Sequence, residues 1–151
     1  MISIKPHHFV DILTMFGEGR TPPKTHPLGH AVYSVTQEIL ADRDVELHME
    51  FGADDICAPC RQNIDGVCAD TIDNSFRPQA PESKLAYNLL LDQRWSQRLG
   101  LQQGDRLTAR ELCVRIRDRA GDICDIYWES PADGTAQRQA KLQQGVAKFL
   151  E

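Results

Sequence analysis

Three of the five cysteines fall within one short stretch, Cys57, Cys60 and Cys68, in the pattern C-x2-C-x7-C. This clustering is hard to explain by packing, and it constrains the fold more than any other feature. Two thiols three positions apart on a loop can aim at one point, and a third from the next turn can complete a cradle. The stretch that carries them, Gly52-Ala53-Asp54-Asp55-Ile56-Cys57-Ala58-Pro59-Cys60, follows the clearest strand signal in the chain. Val45, Leu47, Met49 and Phe51 alternate there with Glu46, His48 and Glu50, the period of a half-buried strand. Asp54, Asp55 and Pro59 oppose its continuation, so the cysteine loop lies just beyond a strand end, where α/β folds commonly place binding sites.

Before this loop, Ile2 and Ile4 alternate with Ser3 and Lys5 as a short strand. Pro6 fits the first turn of a helix. Phe9, Ile12, Leu13 and Phe16 give that helix one apolar face, and Gly17 is placed to end it. Residues 17–27 read as loop. A second helix is expected from Pro27 to about Asp42, with Leu28, Val32, Val35 and Ile39 inward. After Cys68, residues to Ser83 read as irregular. A long helix carries Leu85, Leu89, Leu90, Trp95 and Leu99, and Gly100 ends it. Thr108 and Glu111 form a capping box for a fourth helix, whose Leu112, Cys113 and Ile116 face inward. Residues 121–128 form a short apolar segment, and 135–151 a last amphipathic helix.

These readings predict an α/β fold: a single helix-rich domain over 1–151, with a small sheet and a cysteine-rich metal-binding loop after a strand. The net charge of −5 is the wrong sign for a general nucleic-acid binder. No apolar run is long enough to cross a bilayer, so no membrane association is expected. The first residues do not read as a signal peptide, and the expected location is cytoplasmic. Thiols stay reduced there, and clustered cysteines more often bind metal or do redox chemistry than form disulfides.

The expected metal ligands are therefore Cys57, Cys60 and Cys68. Cys124, in a turn-like segment, is the leading fourth, ahead of His8 and His48. Four thiolates suit zinc and iron–sulfur alike. A different reading takes Cys57-Ala58-Pro59-Cys60 as a thiol oxidoreductase motif, although Asp54 and Asp55 would raise the thiol pKa. The aspartates are better read as capping groups for the loop. Near the start, His7 and Asp11 are four apart on the face opposite the apolar one. His8 lies on the flank of that face. His7, His8 and Asp11 are the candidate catalytic group, with Asp11 orienting the His7 imidazole. The bland reading of both histidines is an exposed polar helix start. His26 and His30 read as solvated, and Tyr127 and Trp128 as either a roof over the site or ordinary core.

Lys5-Pro6-His7-His8, Gly17-Glu18-Gly19, the string Asp54-Asp55-Ile56-Cys57-Ala58-Pro59-Cys60 and Cys68 resemble a family of small bacterial and archaeal proteins. That family has no assigned function and is described as iron–sulfur binding. The resemblance runs from about residue 2 to about residue 128. It implies an iron–sulfur cluster, with Zn2+ as the alternative, and supports Cys124 as fourth ligand. The chain departs from the family pattern at two places: Tyr127 and Asp11 stand where cysteines would be. One four-cysteine site is thus implied rather than a richer one. The expected function is a metal-binding protein in electron transfer or small cluster-dependent catalysis. Its partner would be a redox protein or a small-molecule substrate, neither of which the residues identify.

Overall fold

The computed structural model describes residues 1–151. Strand β1 (Ile2–Ile4) lies parallel to β2 (Glu46–Met49), with Ile2 opposite Leu47 and Ile4 opposite Met49. Alternation puts Ile2, Ile4, Leu47 and Met49 on one covered face, where all four are buried. The connection between these strands carries helices α1 (Pro6–Glu18) and α2 (Val32–Ala41). The fold is α/β and helix-rich, as the patterning predicts.

Further along lie the short strands β3 (Asn63–Ile64) and β4 (Val67–Cys68), then α3 (Lys84–Leu99). Strand β5 (Arg106–Thr108) follows, leading into α4 (Ala109–Arg119), and the last helix is α5 (Ala132–Phe149). Strand β5 joins the free edge of β2 antiparallel, giving the sheet order β1-β2-β5. The sequence pattern does not announce it, because only Leu107 of its three residues is buried. The small hairpin β3–β4 was not foreseen either. Asp65 and Gly66 both take positive φ, 53° and 84°, the turn conformation that matches strand twist in a two-residue hairpin.

Two helix boundaries differ from expectation for physical reasons. Helix α1 runs past Gly17 and is capped by Gly19 at φ 74°, with Arg20 N–H bonded to the Met15 carbonyl. Gly17 instead lets α5 approach. A Cβ there would collide with the Lys141 carbonyl, and one on Gly145 would collide with the Leu13 carbonyl. The two glycines face each other where α1 and α5 cross. Helix α2 begins at Val32 rather than Pro27, because Gly29 is left-handed and the preceding turn serves the cysteine loop. Arg61 N–H donates to the Leu28 carbonyl at 2.7 Å, and Ala31 N–H to the Ile56 carbonyl at 3.0 Å.

Helices α3 and α4 match their predicted spans. Ser83 caps α3, and the Thr108–Glu111 box is complete. Cys113 is core, as read from its neighbours. Helix α5 starts at Ala132, three residues earlier than expected.

The crossing of α1 and α5 gives a direct test. Gly145→Ala should cost about 2–3 kcal/mol by overpacking, lowering Tm by roughly 4–12 °C. Gly134→Ala, in the same helix with open space around it, should be neutral or raise Tm slightly, since alanine is favoured over glycine by about 1 kcal/mol. Thermal unfolding of the two variants separates close approach from simple helix propensity.

Candidate functional site

The site forms where β1 enters α1 and where β2 runs into the cysteine loop. The parallel pairing of β1 and β2 sends both chain segments out at the same end of the sheet. Asp54 joins them. Its Oδ2 accepts from the Lys5 backbone N–H at 2.8 Å and lies 2.7 Å from His8 Nδ1, and its Oδ1 accepts from the Cys57 N–H at 3.0 Å. Asp55 adds a bond from the Ser3 N–H at 2.9 Å. The two aspartates therefore hold the loop, and Asp54 is almost fully buried at 2% exposure.

His8, Asp54 and Cys57 place one ligand-type atom each within 4.8 Å of one another. His8 and Cys57 border a cavity of about 590 Å³, which Cys60 and Cys68 also line. The hairpin brings Cys68 back: Cys68 pairs with Asn63, whose side-chain amide donates to the Cys57 carbonyl at 3.2 Å. Cys57, Cys60 and Cys68 are all half-buried free thiols.

Cys124 does not belong to this group. It is exposed, and its N–H is bonded to Asp122. The Arg98 guanidinium holds the Asp122 carbonyl at 2.8 Å. Cys124 is not among the residues that line the cavity. His8 takes the place expected of Cys124, while His48 lies outside the cavity lining.

The His7–Asp11 pairing does not form. His7 does not project into solvent; it is buried, and its Nδ1 lies 2.8 Å from Asp92 on α3. Asp92 also accepts the His7 backbone N–H at 2.9 Å, so a partner across the fold outcompetes the one on the same helix. Asp11 is engaged by Arg138 of α5 at 3.0 Å. The result is two adjacent histidine–carboxylate pairs, His7–Asp92 and His8–Asp54, with ring centroids 4.4 Å apart. Sequence spacing carries no signal for Asp92, which is distant in the chain.

His30 is not simply solvated. It stacks on His26 with centroids 3.4 Å apart and borders the cavity, and burial and the His26 charge push its pKa down to about 4. Tyr127 also borders the cavity, whereas Trp128 is exposed.

The electrostatics suit a cation. Burial, then the His7 charge, lower the His8 pKa, so the ring is neutral at neutral pH. Its Nδ1 is committed to Asp54, which leaves Nε2 as the donor for a metal; ligating histidines are commonly oriented by a carboxylate in this way. Burial alone would raise Asp54, but the His8 hydrogen bond and charge, with the Lys5 and Cys57 amides, hold it well below the usual carboxylate range. Burial, reinforced by Asp54, pushes the Cys57 thiol up to about 11. Such a thiol keeps its proton at neutral pH and is a poor nucleophile, which disfavours the oxidoreductase reading. A bound metal ion reverses that balance, because its charge deprotonates a coordinating thiol. The three ligand-type atoms of His8, Asp54 and Cys57 are thus close enough to share one metal ion, with Cys60 and Cys68 on the same cavity.

Comparison of the chain with family models, curated proteins and solved structures gives no match. No helix is long and apolar enough to cross a membrane.

The two shifted groups predict a pH dependence of stability. His8 has a lowered folded pKa, so its contribution is complete above about 6.5 and is lost as pH falls below that value. Asp54 has a lowered folded pKa too, so its contribution is complete above about 4 and is lost on further acidification. Asp54→Asn should cost about 2–4 kcal/mol at pH 7, from the broken buried pair. Across pH 7 to 2 it should also flatten the loss of Tm only below about pH 4, where Asp54 titrates, and leave the His8 loss between pH 7 and 4 in place. Thermal melts across that range check both statements.

Proposed function

We propose that this is a metal-binding protein whose centre is held by Cys57, Cys60, Cys68 and His8 in the cavity beyond the ends of β1 and β2. The observation that carries the reading is the Asp54 carboxylate. It fixes the His8 ring and the Cys57 amide together at the wall of the cavity that also takes in Cys60 and Cys68. A buried, fully engaged carboxylate spent on orienting an imidazole beside a thiol is a device typical of metal sites.

An iron–sulfur cluster is the first assignment, supported by three thiols in one loop and by the resemblance of the C-A-P-C region to a family described as binding such clusters. A cluster would supply one-electron transfer, as a carrier or within a small enzyme. The polypeptide orients the ligands through Asp54, Asn63 and the hairpin, and partly excludes water from the loop. A zinc site is the second assignment, favoured by the mixed set of one oriented imidazole and three thiols.

Anaerobic purification with metal and sulfide analysis, and an absorption spectrum of the same sample, decides between them. Iron with labile sulfide and visible colour supports the cluster; zinc without colour supports the second assignment; no metal defeats both. His8→Ala and Cys57→Ser should strip the centre, and Asp54→Asn should weaken metal affinity about 10–100-fold. Cys124→Ser should leave metal content unchanged, and loss of the centre in that variant would restore Cys124 as the fourth ligand.

A further inference from the structure

The cavity has more polar equipment than a metal requires. Seven buried side-chain atoms of the protein have no hydrogen-bond partner, and four of them, His30 Nδ1, Asn63 Oδ1, Arg77 Nε and Tyr87 Oη, belong to residues that line this cavity. Buried polar groups are rarely left unpaired, and a concentration of them around one space points to a ligand. Tyr87 is 3% exposed. The Arg77 guanidinium lies over its ring at 4.7 Å from the centroid and makes no ion pair. The nearby carboxylates are already committed: Asp11 binds Arg138, and Glu129 binds Arg94 through two bonds of 2.8 Å. Arg77 therefore has no carboxylate bound to it; Glu129 and Asp73 feel its charge without pairing with it.

Lys5 lies beside the thiols. It lines the same cavity and has no carboxylate partner, since Asp54 accepts its backbone N–H rather than its ammonium. Six cationic side chains and three carboxylates line the cavity, in a protein whose net charge is −5. Four of the six are paired, Lys84 with Asp70, Arg138 with Asp11, and Arg20 and Lys141 with Glu18, which leaves Arg77 and Lys5. Apolar side chains, including Ile12, Met15 and Leu91, make up part of the remaining wall. A volume of about 590 Å³ suits a small organic molecule.

We propose that the cavity binds a small organic acid, whose carboxylate is held by the Arg77 guanidinium and the Tyr87 hydroxyl and whose apolar body lies against Ile12, Met15 and Leu91. The planar guanidinium fork matches a carboxylate, and the Tyr87 stack pre-orients it. Lys5 adds positive charge at the thiol end. This extends the metal reading by naming the ligand class of the same cavity, but Arg77 and Tyr87 need no metal to act.

The test is calorimetric titration of the purified protein with benzoate and octanoate, and separately with inorganic phosphate, at constant ionic strength. Metal content is measured on each sample. At least one of the two carboxylates should bind saturably and more tightly than phosphate. Arg77→Gln should weaken that binding at least about tenfold, and Tyr87→Phe about threefold or more, as expected for loss of hydrogen bonds to a charged group. Circular dichroism should show both variants folded. Absence of carboxylate binding overturns the inference, as does binding unchanged in both variants, and a preference for phosphate overturns the assigned class. Metal-free protein that binds a carboxylate through Arg77 would defeat the metal reading and leave this one standing. Metal-loaded protein indifferent to both acids would do the reverse.

Discussion

The arrangement depends on one buried carboxylate. Asp54 bonds to the first turn of α1 through Lys5 and His8 and to its own loop through Cys57. The two segments are far apart in sequence, and the β1–β2 pairing brings them side by side without fixing side-chain direction. Asp54 supplies that direction. A buried carboxylate is tolerable only when its lone pairs are satisfied, so the cost of placing it there is offset by three specific bonds. The same bonds define where the His8 ring can point.

A second carboxylate holds the histidine one residue earlier. Asp92 reaches from α3 to His7 and takes both its ring nitrogen and its backbone N–H. Consecutive histidines on a helix start diverge, and each is caught by an acid from a different element. The α1 entry is thereby locked to the cysteine loop on one side and to α3 on the other. The glycine-to-glycine crossing of α1 and α5 fixes the far half of the same helix. Helix α1 is held rigidly along its length, and rigidity at its first turn is what a preorganised ligand set requires.

What could be read from the sequence was whatever is settled locally. The Thr108–Glu111 cap, the Ser83–Gly100 helix and the β2 alternation depend on neighbours within a few residues, and these elements stand where the pattern puts them. The Asp65-Gly66 dipeptide between Ile64 and Val67 is likewise a local signal, the chemistry of a two-residue hairpin turn. The partners of His7 and Asp11 were not legible, because Asp92 and Arg138 arrive from other helices. Gly17 looked like a helix end because its real purpose, room for the α5 backbone, exists only in three dimensions. Cys124 was grouped with the other cysteines by residue type, and residue type carries no distance.

Charge and burial together explain why the cavity is built as it is. Burial first, and then the Asp54 charge, penalise a Cys57 thiolate and hold its pKa up at about 11. Two remedies are available to the fold: a bound cation that takes the thiolates as ligands, and fixed positive side chains nearby. Lys5 is placed for the second remedy, but a single ammonium does not lower Cys57 to a thiolate at neutral pH. The metal centre proposed above would supply the rest, and Lys5 would then face a neutralised site. Its charge, like that of Arg77 deeper along the wall, is left over for an anion from outside. The metal ligands and the unpaired cations are thus two consequences of one electrostatic balance, drawn into a single cavity by the geometry of β1, β2 and α3.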